Sequence, residues 1–301
     1  MNDAQRIAQG TIRQLHQSFL QTNLSAVSQA HDVIIQYLTA QQQRGKHHIY
    51  LTDEARATLR ELQEESRAPQ PAHPSNLARL PTEAPPQVAI TGGSKAAQLE
   101  ALRHQIAAWG KSQALENMRT ELVFSEGSPD AELAIIGESP GYEDEKRRSP
   151  FAGATGEKLD RILTAMGFSR EKVYLTNIAK FRPKTRNQTT NNRALTAAEV
   201  ALFMPWLRAE LAILQPKVIL AAGETVAQFL LGNQQPTATL RGKWHAMDGT
   251  PLRASLHPSC LLIAGDDLKT KRALWEDMLA VMEHLSMAIT EKHRGYFLPK
   301  T

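Results

Sequence analysis

The spacing of apolar positions changes character along the chain. Up to about residue 66 they recur at helical intervals: Ile7, Ile12, Leu15 and Phe19 in AQRIAQGTIRQLHQSFL, then again in SAVSQAHDVIIQYLTAQQQ with Ser25 placed as cap, and in TDEARATLRELQEES with Thr52 or Asp53 as cap. The following stretch, APQPAHPSNLARLPTEAPPQ, holds six prolines in twenty residues. Such a composition is extended, partly stiff and poor at burying surface. This predicts a helical N-terminal region over 1–67 and a proline-rich linker over 68–94. From about 95 onward, short apolar runs alternate with helical ones. KAAQLEALRHQIAAW predicts a helix, Leu133 to Ile136 a strand, and Thr155 to Met166 a helix. KVYLTN is a strand and TAAEVALFMPWLRAELAIL a helix with a kink expected at Pro205. KVILAA is a strand, ETVAQFLLG a helix stopped by its glycine, and PLRASL a strand. A closing helix runs from roughly Asp266 to Ile289, followed by a tail over 291–301.

Strands alternating with helices imply an α/β fold with a parallel sheet covered on both faces. The expectation for 95–290 is a three-layer α/β/α domain with a central parallel four-stranded sheet, preceded by the small helical N-terminal region. Ligands in such sheets bind beyond the carboxyl ends of the strands. Three polar loops fall there: GESPG, TNIAKFRP and HPS. Singly, each has an ordinary structural explanation. A glycine-proline loop is a turn, Asn177 a strand-end cap, His257 a satisfied surface group and Phe151 a core residue.

Composition narrows the picture modestly. An apolar fraction of 42% in 301 residues is enough for a core. No run of about 18 apolar residues occurs, so no membrane span is expected, and MNDAQRIAQG lacks the apolar core of a secretion signal. The single cysteine, Cys260, excludes an internal disulfide framework and any site needing several thiolates. It argues for the reducing cytoplasm. Net charge is only +4, but seven Lys/Arg and one acid lie between Arg170 and Arg193. A polyphosphate partner would need such a stretch, and an unpartnered solvated loop would look the same.

The loops taken together say more. GESPGYEDEKRRSPFAGATGEKLDRIL, VYLTNIAKFRPKTRN, RGKWH and LHPSCLL, in this order, resemble the uracil-DNA glycosylase superfamily over roughly residues 105–285, most nearly its family 4 and the related cross-linking branch. The resemblance implies an enzyme that lifts uracil from the stack or acts on a single strand, then breaks the bond between base and sugar. The base leaves as an anion, so a donor at its O2 lowers the barrier. His257 matches the donor to O2 and Glu138 the catalytic carboxylate of the first motif. Ser139 offers a backbone N–H, Phe151 matches the stacking ring, Asn177 the reader of the Watson–Crick edge, and Asp144 the acid lining the pocket near C5. Lys180, Arg182, Lys184 and Arg186 are expected to hold phosphates, with Arg241 and Ser259 also facing DNA. Leu261 is the expected wedge in the vacated stack. DNA is the implied partner. Residues 1–67 remain open between a protein-interaction module, a second DNA contact and packing for the main domain.

The chain also departs from the family. Family 4 enzymes carry a four-cysteine iron–sulfur cluster, and those cysteines align with Gly110, Gln113, Phe181 and Met204. No cofactor or metal is therefore expected, and Phe181 and Met204 are expected to fill the volume with apolar packing. Asp144 is one methylene shorter than the family's glutamate, which leaves thymine exclusion open. FRPKTRNQTTNNRAL contains no histidine, so the covalent capture of the cross-linking branch is not expected. No lysine is placed for Schiff-base strand cleavage. The reading is a monofunctional glycosylase excising uracil in base excision repair. The alternatives are a catalytically silent DNA-binding member and a glycosylase for another deaminated base, such as hypoxanthine or xanthine.

Overall fold

The computed structural model describes residues 88–110, 115–185, 188–263 and 267–298. All belong to the second of two units into which the chain divides, Leu80–Thr301. The expected N-terminal helices, most of the linker, Gln113 and Arg186 lie outside the described residues. In order, the elements are α1 (Lys95–Trp109), β1 (Met118–Leu122), β2 (Ser125–Gly127), β3 (Leu133–Gly137), α2 (Tyr142–Arg147), α3 (Gly153–Met166), β4 (Tyr174–Asn177), β5 (Phe181–Pro183) and α4 (Ala197–Leu214). After them come β6 (Val218–Ala222), α5 (Glu224–Leu231), α6 (Thr237–Leu240), β7 (Trp244–Met247), β8 (Thr250–Ser255), α7 (Cys260–Ile263), α8 (Leu268–His284) and α9 (Glu291–Gly295).

The main sheet has six strands in the order β2-β4-β3-β6-β8-β7. Its centre is parallel, with β4, β3, β6 and β8 side by side. These are the four strands that their apolar runs predict. Alternate residues of each run point to opposite faces. Ala134 and Ile136 of β3, with Ile219 and Ala221 of β6, join a core against α1, α4 and α5. Leu133 and Ile135, with Val218 and Leu220, join a second core against α3 and α8. Burial on both faces explains why these strands read as continuous apolar runs. The result is the expected three-layer arrangement.

Both edge strands are antiparallel additions. β2 pairs with β4, and β7 forms a hairpin with β8. The hairpin turns on Asp248 and Gly249, with φ of 49° and 85°. Two consecutive left-handed residues make the tight turn that Asp-Gly favours. A separate two-stranded ribbon pairs β1 with β5. Helix α4 continues through Pro205 and opens on a Thr196–Glu199 capping box. The closing helix α8 stops at His284. The segment after it folds back, where Trp275 Nε1 donates to the His293 carbonyl at 2.7 Å and Arg272 Nη1 to those of Arg294 and Tyr296.

Three of the four positions aligned with the family's cysteines, Gly110, Phe181 and Met204, meet in an apolar block. The Phe181 ring lies so close to Gly110 that a Cβ there would collide with it. Phe181 also lies 6.3 Å from Phe203, and Trp109 lies 5.5 Å from both Phe203 and Trp206. Met204 packs against the same core. A ring, a thioether and a glycine offer no thiolate, and the ring occupies the space, so these residues do not fit an iron–sulfur cluster. The aromatic block should carry the stability of this corner. Phe181→Ala is expected to lower unfolding free energy by about 3–5 kcal/mol, read by chemical denaturation. The purified protein should hold no stoichiometric iron by elemental analysis.

Candidate active site

Strands β3 and β4 end side by side, with Gly137 opposite Asn177 in parallel register. The pairing continues past the strands, since Ile178 N donates to Gly137 O and Ala179 N to Glu138 O. A Cβ on Gly137 would collide with Asn177 Oδ1 and come within 3.0 Å of the Phe151 ring. The missing side chain thus lets an amide and an aromatic ring converge over one backbone position. Asn177 is 3% exposed, and its Nδ2 makes no hydrogen bond among the described residues. A buried amide donor without a partner is costly unless a ligand supplies one.

Phe151 also faces His257, with ring centroids 5.8 Å apart and planes 26° from parallel. Gly223, at φ 112°, lies beneath this histidine, and a Cβ there would sit 3.4 Å from His257 Cβ. Burial pushes the His257 pKa down to about 4, so the ring is neutral at physiological pH. Its Nδ1 accepts from Ser259 N–H at 3.3 Å and lies 2.7 Å from Ser259 Oγ. A neutral ring that accepts at Nδ1 carries its proton on Nε2, which makes Nε2–H a donor.

Glu138 follows Gly137 directly. Its Oε1 accepts from Leu195 N–H at 2.7 Å. Burial raises its pKa, against lowering by that N–H and by Thr225. Asp144 works as a loop clamp: Oδ2 accepts from Gly141 N–H at 2.9 Å and Oδ1 from Ala152 N–H at 2.6 Å. Burial raises its pKa too, with the two N–H groups opposing. The clamp ties the N-terminus of α2 to that of α3 and so fixes the loop that carries Phe151. Ser139 is half-buried in the same loop.

A family model described as the uracil DNA glycosylase superfamily matches residues 124–279. The chain belongs to this superfamily. The type-4 uracil-DNA glycosylase of Thermotoga maritima is 36% identical over 148 residues, 48% of this chain and 73% of its own length. That of Sulfurisphaera tokodaii is 29% identical over 211 residues, 66% of this chain and 90% of its own. The matched segment contains the converging residues Gly137, Phe151, Asn177 and His257.

Within this uracil-DNA glycosylase frame, the basic residues need correction. Lys180 and Arg182, expected to hold phosphates, are 0% and 1% exposed. Lys180 forms an ion pair with Glu210, bonds Thr176 Oγ1 and donates to the Asn177 carbonyl at 2.8 Å. Burial lowers the Lys180 pKa, with Glu210 opposing. Burial likewise raises that of Glu210, with Lys180 opposing. The lysine therefore tethers the strand end that carries Asn177. Arg182 reaches Glu145 and the carbonyls of Thr189 and Asn191. Arg241 pairs with Asp277 and is mostly buried. Ser259 serves His257. Lys184 is exposed and donates to the Glu116 carbonyl at 2.7 Å. Leu261 packs on the core beside α3 and α8, whereas its neighbour Leu262 is 44% exposed.

Sequence reasoning passed over Arg170, which it counted only as surface charge. Phe151 sits at φ 52°, a left-handed conformation that strains a non-glycine residue. Arg170 grips its carbonyl and that of Pro150, and is itself anchored on Glu126 and Asp160. Gly156 is required alongside, because a Cβ there would strike the Phe151 carbonyl.

The inward lysine has a measurable consequence. Lys180→Met leaves Glu210 buried and unpaired, and should lower stability by about 3–5 kcal/mol. Lys180→Met with Glu210→Leu should recover part of that loss, because the lone buried charge is gone while the Tyr174 and Thr176 hydroxyls lose their acceptor. Chemical denaturation of the two variants checks this. A single variant with wild-type stability and weakened DNA binding would restore the surface role.

Proposed function

We propose that the protein is a monofunctional DNA glycosylase that hydrolyses the bond between uracil and deoxyribose. The observation that carries this reading is the convergence of Asn177 and Phe151 over Gly137, with His257 stacked on the Phe151 ring. A uracil stacked on Phe151 meets the unpaired Asn177 amide along its Watson–Crick edge, where Nδ2–H fits the O4 acceptor. The near-parallel imidazole directs Nε2–H along the plane of such a base, toward O2. As the bond lengthens, charge builds on the base, and a preorganised neutral donor stabilises it without first losing a proton. Glu138 supplies a carboxylate for the cation-like sugar and for the attacking water. In this reading Leu262, rather than Leu261, fills the vacated stack. The curated relatives named type-4 uracil-DNA glycosylase support the same substrate. The chain's DNA partner and its place in base excision repair follow from that substrate.

The direct test is excision from oligonucleotides carrying uracil, hypoxanthine, xanthine or no lesion. Uracil alone should be released, leaving an intact abasic strand. His257→Ala should lose roughly 10²- to 10³-fold in single-turnover rate while still binding DNA. Release of hypoxanthine at the uracil rate, or no release at all, would favour one of the alternatives.

The pH profile separates the two ionisable groups. Glu138, raised by burial, gains its proton at a higher pH than a free glutamate and loses its charge as pH falls through that point. His257 stays neutral until about pH 4. The single-turnover rate should therefore hold level from neutral pH down to one acid limb above the ordinary glutamate value. Glu138→Gln should abolish that limb. A rate that falls as pH rises through about 6.5, the ordinary histidine value, would mean that His257 works as a cation.

A further inference from the structure

With Lys180 and Arg182 turned inward, the strand carrying the uracil needs another basic surface. The structure offers one along the helix that lies between Glu138 and Phe151 in the chain. A groove of about 470 Å³ runs between β1 and α2, with Tyr142, Arg119, Lys146, Arg147 and Arg148 along it. Its acids are Glu121 and Glu145, so four cations face two carboxylates. Glu145 is 8% exposed and is shared by two guanidiniums, with Arg119 on Oε1 and Arg182 on Oε2 at 3.2 Å. Glu121 holds Arg148 at 2.6 Å. Arg147 keeps only a 3.5 Å contact to Glu143, and Lys146 has no acidic partner among the described residues. Positive charge therefore remains in excess where the groove meets solvent.

An aromatic ring sits in the same groove. Tyr142 is 39% exposed, and the Arg182 guanidinium lies 5.6 Å from its ring centroid. A cation near an aromatic ring and a basic track alongside form the pairing that single-stranded nucleic acid uses, bases on rings and phosphates on cations. The Asp144 clamp locks this wall to the pocket by bonding Gly141 N–H and Ala152 N–H. Arg148 and Phe151 are three residues apart in the chain, a span of at most about 11 Å.

We propose that this groove is a binding subsite for single-stranded DNA. A nucleotide flanking the extruded base stacks on Tyr142, while Arg119, Lys146 and Arg147 hold the neighbouring phosphates. The subsite's place on the path of the strand rests on the glycosylase reading, but its binding is measured without uracil. The probe is a labelled single-stranded oligonucleotide of thymines, titrated at several salt concentrations. Lys146→Gln with Arg147→Gln should weaken binding and lower the log–log salt slope by roughly 1.4, about 0.7 for each lost phosphate contact. Tyr142→Ala should weaken binding roughly 5- to 150-fold, and Tyr142→Phe should restore it. The altered side chains are exposed, so unfolding midpoints should stay at the wild-type value. An unchanged salt slope in the double variant, or unchanged affinity in Tyr142→Ala, overturns the proposal. If the wild type releases uracil and the slope is unchanged, the groove alone fails. If the slope drops as expected but no uracil is released, the glycosylase reading alone fails.

Discussion

The site depends on one close approach. Where β3 ends, the backbone at Gly137 runs so near the Asn177 amide and the Phe151 ring that no side chain fits between them. That contact follows from parallel register, because Gly137 and Asn177 pair across neighbouring strands of a doubly covered sheet. Other contacts hold the groups of the site in place. Lys180 secures the Asn177 carbonyl, Arg170 the strained Phe151 backbone, Asp144 the loop between, and Ser259 the tautomer of His257. The base-reading role proposed for this site would need such fixity, since a small misplacement of the reacting groups forfeits much of the rate.

Several of these supports are charges taken out of water. Lys180–Glu210 and Arg182–Glu145 are buried, and Arg170 is mostly so while its partners Glu126 and Asp160 reach solvent. Buried pairs add little net stability compared with apolar packing, but removing one partner is costly. Their use here fits a role in fixing geometry. At the corner where family 4 enzymes carry metal, packing serves instead: Phe181 and the Trp109–Phe203–Trp206 block occupy the volume.

The central architecture was legible because each buried strand is a short apolar run bounded by polar loops, and α1 matches its predicted helix end to end. The edge strands were not. Ser125–Gly127 at one edge, like Phe181–Pro183 in the separate ribbon, is three residues long, too short to show a period. The β7–β8 hairpin did carry a signal, the Asp-Gly pair, which the apolar pattern alone overlooks. The loops at strand ends singled out Phe151, Asn177 and His257, and the structure brings these three side chains together. The basic stretch misled, because linear charge does not reveal which way a side chain faces. Lys180 and Arg182 meet buried carboxylates from Glu210 and Glu145, residues 30 and 37 positions away in the chain, and only tertiary contact brings them together. Arg170 escaped notice for the same reason. The choice between Leu261 and Leu262 depends on the phase of a single helical turn, which neighbouring leucines cannot set.

The central claim is that the buried Asn177 amide reads uracil. The most direct measurement is single-turnover excision by Asn177→Asp from matched single-stranded oligonucleotides containing one uracil or one cytosine. The carboxylate removes the donor to O4 and places negative charge beside the anionic leaving base. Uracil excision should fall by roughly 10²-fold or more, from one orphaned acceptor and one added charge in a closed site. Cytosine, whose N4 amine the carboxylate accepts, should gain relative to uracil. An Asn177→Asp enzyme that releases uracil at the wild-type rate would contradict the account.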